Sequence, residues 1–311
     1  MKGLAEFVMR GRPQALFVAV ACAGSLLFSW ISAAVIALVT LRRGPAQGGW
    51  LMFWALLPAG TVWYLFGDSG PVALLLGTLS MALVLRATVS LPLALLASVG
   101  VGVACGLLLL AIAGEYLQQL VAYFDGFLSR FEQQLSQGGE AVVLPRPEAL
   151  QVAGMLGAGT AMTSVLCLLL ARYWQAALYN PGGFGEEFRA LRYPVGVTLA
   201  LVVAALGLAA MGFQLRTWMV ICFIPLTFAG LALVHARAHV RGQGGGWLGV
   251  FYAAWVMFDP VKLLVVLFAI ADSWLDFRQR WAQGATAISP VQRPDEQGDE
   301  EQEKDRKDGE S

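Results

Sequence analysis

Charge is the scarcest property of this sequence. Only 14% of its 311 residues are Asp, Glu, Lys or Arg, about half the share in an ordinary soluble domain, while 58% are apolar. An oversized core does not explain the gap, because a water-facing surface still needs its charges. The charges are also unevenly placed. Of 21 acidic and 21 basic side chains, residues 283–311 hold 9 and 4, leaving 12 acidic and 17 basic over residues 1–282. Cysteine is sparse as well: Cys22, Cys105, Cys167 and Cys222 lie scattered inside apolar stretches without a CxxC. That excludes a disulfide scaffold and leaves them as small hydrophobes. The two histidines, His235 and His239, are spaced i, i+4, but Arg237 and Arg241 flank them and no acidic residue or cysteine nearby completes a ligand set. They read as a basic helix end rather than a metal site. GxxxxGK[ST], HExxH and GxSxG are all missing, so nothing points to an enzyme, a cofactor or a resident metal. Nucleic-acid binding is excluded with ordinary soluble enzymes.

Long uncharged windows are what the sequence has instead: Pro13–Leu41, Gly44–Gly67, Ala87–Gly114, Ala149–Ala171 and Tyr193–Leu215. A bilayer core about 30 Å thick needs roughly 20 apolar residues per spanning helix. Only helices or closed barrels satisfy the backbone there. Barrel strands alternate apolar and polar residues; Leu107-Leu108-Leu109-Leu110 does not. The expectation is an all-α membrane protein, a polytopic transmembrane helix bundle over 1–282 followed by a disordered charged tail, 283–311. Its tail is too polar to bury a core. Breakers and windows together mark about eight hydrophobic segments: 15–41, 48–66, 71–86, 89–113, 149–172, 193–213, 217–234 and 247–270. Trp50, Trp54, Trp63, Tyr64, Tyr173, Trp174, Trp218 and Trp247 near their ends read as interfacial aromatics facing the lipid bilayer.

Two segments leave topology open. If 15–41 crosses once from a cytoplasmic amino terminus, Arg42-Arg43, Arg86, Arg172, Arg189, Arg192, Arg237 and Arg241 all fall outside, against the positive-inside bias. If it is two short passes broken near Phe28-Ser29-Trp30, those groups and the amino terminus become cytoplasmic and the acidic stretch 114–148 external. The second reading is preferred; a single tilted pass with an external amino terminus is the alternative. In 247–270, Asp259-Pro260-Val261-Lys262 implies either a re-entrant hairpin or one kinked pass.

Outside the spans, residues 115–137 place Leu117, Leu120, Val121, Phe124, Phe127, Leu128, Phe131 and Leu135 on one helical face. This predicts an amphipathic external helix, either packing on the bundle or capping an external cavity. Residues 180–192 open with Asn180-Pro181-Gly182-Gly183, a strong turn former, and continue with Phe184, Phe188 and Leu191 at helical spacing. This reads as a cytoplasmic elbow in which Glu186 and Arg189 are spaced to pair. It is an interfacial turn or a contact surface built from Asn180, Gly182, Gly183, Phe184, Glu187 and Arg189.

Ionisable groups at membrane depth are costly and therefore informative. Asp259 and Lys262 lie one turn apart beside Pro260, a candidate substrate or coupling site on a broken helix, or a neutralised pair at a hairpin tip. Small residues recur at close-packing spacing in Ala15, Ala19 and Ala23, and in Gly102-x-x-x-Gly106.

Leu38-Val39-Thr40-Leu41-Arg42-Arg43-Gly44, and Asn180-Pro181-Gly182-Gly183-Phe184 with Glu187-Phe188 and Leu191-Arg192, resemble the YybS-like family of bacterial multi-span membrane proteins. That family is in turn similar to the S components of energy-coupling-factor transporters. The resemblance implies the bacterial inner (cytoplasmic) membrane, a short second helix returning the chain to the cytoplasm, and Ala15, Ala19 and Ala23 as a stripe docking a transmembrane coupling subunit. This chain is expected to have more spans than the usual six, and it adds an acidic tail. The expected function is small-molecule transport or substrate capture with a separate energising partner; the alternative is a structural or regulatory protein acting through protein contacts.

Overall fold

A computed structural model describes residues 2–136 and 143–286. Most of the expected tail therefore lies outside the described residues. Among those described, fourteen α-helices follow one another: α1 (Lys2–Arg10), α2 (Arg12–Ala23), α3 (Ser29–Arg43), α4 (Pro45–Phe66), α5 (Gly70–Thr88), α6 (Leu91–Ile112), α7 (Gly114–Ser136), α8 (Ala149–Tyr179), α9 (Gly183–Arg189), α10 (Val195–Ala210), α11 (Arg216–Val240), α12 (Gly245–Met257), α13 (Asp259–Leu275) and α14 (Phe277–Thr286). A 3-10 turn, Phe213–Leu215, precedes α11. Five helical stretches are long and apolar enough to cross a membrane, or six if α12 and α13 count as one broken span. The protein is an all-α membrane helix bundle.

The hydrophobic stretch 15–41 is broken, as preferred from its charge pattern. Gly24 ends α2, and α3 starts at Ser29 after a turn that exposes Leu26, Leu27 and Phe28. Because α3 returns to where α2 began, Arg43 donates from Nη2 to the backbone oxygen of Met9 at 2.6 Å. The two helices are about 18 and 22 Å long, so neither alone matches a full bilayer core. Ser32–Leu41 is buried on every side, which makes α3 the axis against which α2, α4, α5 and α8 are laid.

The α6–α8 seam explains the GxxxG. A side chain on Gly157 of α8 would collide with the backbone oxygen of Gly102, and one on Gly106 would lie 2.6 Å from the Trp218 ring. Backbones here approach as close as glycine allows, which raises dispersion contact in a setting where lipid offers no hydrophobic drive. Trp218 fills the notch beside Gly106 and Gly154 and donates from Nε1 to the Leu150 oxygen at 2.9 Å. Two aromatics expected at the interface are thus internal: Trp218 and Trp174 are both buried. The α8 helix runs seven residues beyond the apolar segment 149–172, so Trp174 is enclosed by neighbours instead of ending a span.

Contacts between chain segments sort the helix ends. Arg86 of α5 donates to the oxygens of Thr40 and Leu41, and the Arg42 guanidinium stacks 4.0 Å over Tyr179 at the end of α8. Tyr193 donates to Pro92 at the start of α6, Arg192 pairs with Asp276, and Arg237 covers Trp281 of α14. The amino terminus and the basic groups Arg42, Arg43, Arg86, Arg192, Arg237 and Arg278 therefore share one end of the bundle. The opposite end carries Asp68, Glu115, Glu148, the 3-10 turn and α7.

Helix α7 forms, but its apolar stripe divides. Leu117, Leu120, Val121 and Phe124 pack on the bundle, whereas Phe127, Phe131 and Leu135 of the stripe, with Tyr123 beside them, are exposed. Its polar face is clamped by Arg146, which reaches Asp125, Ser129 and Glu132.

Candidate functional site

The bundle opens where the chain breaks at Phe258. Pro260 has no N–H to donate, and its ring would strike the carbonyl one turn earlier, so a helix cannot run through. Phe258 is extended, and α13 departs at 112° from α12. Helix α13 stays on the bundle because Gly230 of α11 lets the Val265 backbone touch it. Helix α12 contributes no fully buried residue, though Phe251, Tyr252 and Trp255 pack against the core.

Two adjacent apolar chambers lie beneath it. The first, about 480 Å³, is walled by Met162, Leu166 and Leu169 of α8, Thr227, Phe228, Leu231 and His235 of α11, and Tyr252 and Trp255 of α12. Phe184, Gly185, Phe188 and Arg189 of α9 close its basic-end mouth. The second, about 490 Å³, shares Met162, Thr227 and Trp255 and extends past Phe223 to Val202 and Leu206 of α10 and to Lys262, Val266 and Ile270 of α13. Both volumes fall in the range of small-molecule sites. The indole Nε1 of Trp255 is buried without a hydrogen-bond partner among the described residues.

Polar groups are few and sit at the rims. His235 uses Nδ1 on the Leu231 oxygen at 2.9 Å, leaving Nε2 without a partner among the described residues, and its ring lies edge-on to Phe188 and near Tyr252. Phe184 meets Tyr173 edge-on and stacks on Phe188. Arg189 is half-buried, with neither an ion-pair nor a hydrogen-bond partner among the described residues.

The expected Glu186–Arg189 pair does not form among the described residues. Arg172 of α8 reaches the neighbouring carboxylate instead, its Nε 2.7 Å from Glu187 Oε2. Glu186 faces out and is exposed. Asn180 and the glycines build the turn: Gly182 has φ +92°, a left-handed conformation that suits glycine, and the Asn180 side chain folds over Gly183 where a Cβ would stand.

Lys262 and Asp259 do pair, Nζ to Oδ1 at 2.7 Å, with Asp259 91% exposed and Lys262 on the wall of the second chamber. The Gly230–Val265 contact sets Lys262 about level with Thr227, near the middle of α11. Pro260 lies in the first turn of α13, as the break requires.

The alanine stripe is a correction. Ala15, Ala19 and Ala23 are at most 1% exposed, covered by α3 and α4 of the same chain, with Ser32 Oγ donating to the Ala19 oxygen at 2.7 Å. Small residues let α2 fold back on α3, and no face of the stripe is left for a coupling subunit.

No family model, curated protein or solved structure matches the chain. Phe184, Arg189 and Lys262 were legible as chemistry in the sequence and meet at these chambers. Met162, Leu231, Tyr252 and Trp255 carried no signal, because each is one apolar residue among many on a different helix.

Proposed function

We propose that the protein captures an apolar or amphipathic small molecule from the bilayer of a bacterial inner membrane, as the ligand-binding component of a transport process. The carrying observation is the pair of chambers under the broken α12–α13 segment, which has apolar walls and stands at the bundle edge. Discontinuous helices and a charge near mid-depth accompany such sites in transporters. The chain has no nucleotide-binding motif, so energy would come from a separate partner. The α2–α3 hairpin supports the likeness to S components; the buried alanine stripe gives that likeness no docking face.

The test is thermal unfolding of purified protein in nanodiscs against a panel of apolar and amphipathic molecules. A ligand at a hundredfold its Kd stabilises by about 2.7 kcal/mol. Leu231→Trp, which fills the first chamber, should abolish that shift. A broad panel without a hit, or a shift that Leu231→Trp leaves intact, would overturn the reading.

A second reading, action through protein contacts, is supported by the exposed half-stripe Phe127, Phe131 and Leu135 on α7, with Tyr123 beside it. Crosslinking from Phe127 in native membranes would return one stoichiometric partner if it holds, and lipid adducts alone if it does not.

A further inference from the structure

We infer that the ligand of the first chamber is a single-chain amphiphile bearing an anionic head, a carboxylate or phosphate ester, bound with its head on Arg189 and His235 and its chain running toward Trp255. The inference rests on the capture reading above and deepens it.

Charge complementarity decides the head. The chamber has apolar walls along its depth, while its mouth holds a half-buried guanidinium with no counter-ion among the described residues. The nearest acidic side chain along the helix, Glu187, is taken by Arg172, and Glu186 points outward. An arginine left unpaired next to apolar surface is the group that gains most from an oxyanion, through short charge-assisted hydrogen bonds in a fork that matches carboxylate or phosphate. His235 adds a second group at the same mouth through Nε2. Cationic side chains at the basic end of a membrane bundle meet lipid-type anionic heads by the same rule.

Size decides the chain. From His235 to Thr227 the α11 wall runs eight residues, about 12 Å, and the second chamber continues past it to Phe223. A space of about 480 Å³ with that reach suits one flexible chain better than two. Phe184 and Phe188 close the mouth around the junction of head and chain.

The experiment uses the full chain in phosphatidylcholine nanodiscs and a medium-chain carboxylic acid carrying a tail-end diazirine. The chain-matched alcohol, the chain-matched alkyl phosphate and a diacyl phosphatidic acid with the same photoreactive tail serve as comparisons. The acid and alkyl phosphate should label α8, α11 and α12 peptides around Met162, Thr227 and Trp255, and the alcohol should do so weakly. Arg189→Gln should raise the half-saturating concentration of the acid about tenfold, Arg189→Lys should recover part of it, and Glu186→Gln should change nothing. Equal labelling by acid and alcohol, with Arg189→Gln without effect, would overturn the anionic head while leaving the cleft reading intact. Labelling by the diacyl lipid and not the single-chain acid would overturn the single chain. No labelling of those peptides by any probe would bring down the cleft reading itself.

Discussion

Arg86 Nη1 donates to the backbone oxygen of Leu41 at 2.6 Å and to that of Thr40 at 3.3 Å, so a side chain of α5 closes the carboxyl end of the central helix α3. The last carbonyls of a helix lack intrahelical donors, and a cation there also meets the negative end of the helix dipole. Arg86→Gln should destabilise the protein by about 1 kcal/mol. Thermal unfolding in detergent should show it as a Tm lower by about 2–4 °C. An unchanged Tm would mean that water caps α3 equally well.

The α6–α8 seam should tolerate no added methyl group. Gly157→Ala places Cβ against Gly102 and should cost about 1–3 kcal/mol, with much lower folded yield. Gly159→Ala, two residues away on the same helix and with open space around it, should fold as the parent does. Equal yields for the two variants would refute close packing as the role of the seam.

The clamp on α7 should respond to acid. Glu132 accepts from the backbone N–H of Leu144 at 2.6 Å and from two guanidinium nitrogens of Arg146 at 3.0 and 2.8 Å. The backbone donor first, and Arg146 next, hold its carboxyl below the ordinary range. A depressed carboxylate favours the clamped form above its unfolded pKa, and that preference disappears as pH falls through the lowered folded value. Hydrogen exchange over residues 125–136 should therefore be slow at neutral pH and speed up, after correction for intrinsic rate, as pH falls below the ordinary glutamate range. Glu132→Gln should remove that pH dependence; a variant that retains it would assign the effect to another group.

Side-specific labelling checks the shared basic end. With the native cysteines changed to alanine, single cysteines placed at Gly3, Gly44, Gly182 and Gly244 should react from the same side of the membrane, and one at Gly70 from the other. The first two are coupled by the Arg43–Met9 hydrogen bond. Labelling of Gly3 and Gly44 from opposite sides would break the α2–α3 hairpin.

The carboxyl-terminal latch should be strongly coupled. Asp272 is nearly inaccessible, accepts from the Phe277 N–H at 3.0 Å and lies 3.6 Å from Arg278, whose guanidinium is held below its usual range by burial. Asp272→Ala leaves that cation without its carboxylate and should cost about 3 kcal/mol. Asp272→Ala combined with Arg278→Met should recover much of the loss; failure to recover would assign the cost to the lost Phe277 contact.

What composition and spacing decided was the broad way in which the chain meets lipid. Uncharged windows, turn-formers and the asymmetry of arginines led to a helical membrane bundle, to the break inside 15–41 and to the break at Pro260, because solvation and helix geometry act residue by residue. Tertiary structure decided which surfaces remain free. The stripe Ala15, Ala19 and Ala23 looks the same in sequence whether it faces a partner or its own α3, and only the fold shows it buried. Glu187 pairs with Arg172 from another helix and Glu186 lies exposed, which leaves Arg189 beside a chamber whose other walls come from α8, α11 and α12. Such a site is a sum of long-range contacts among ordinary apolar residues, and no local pattern carries that sum.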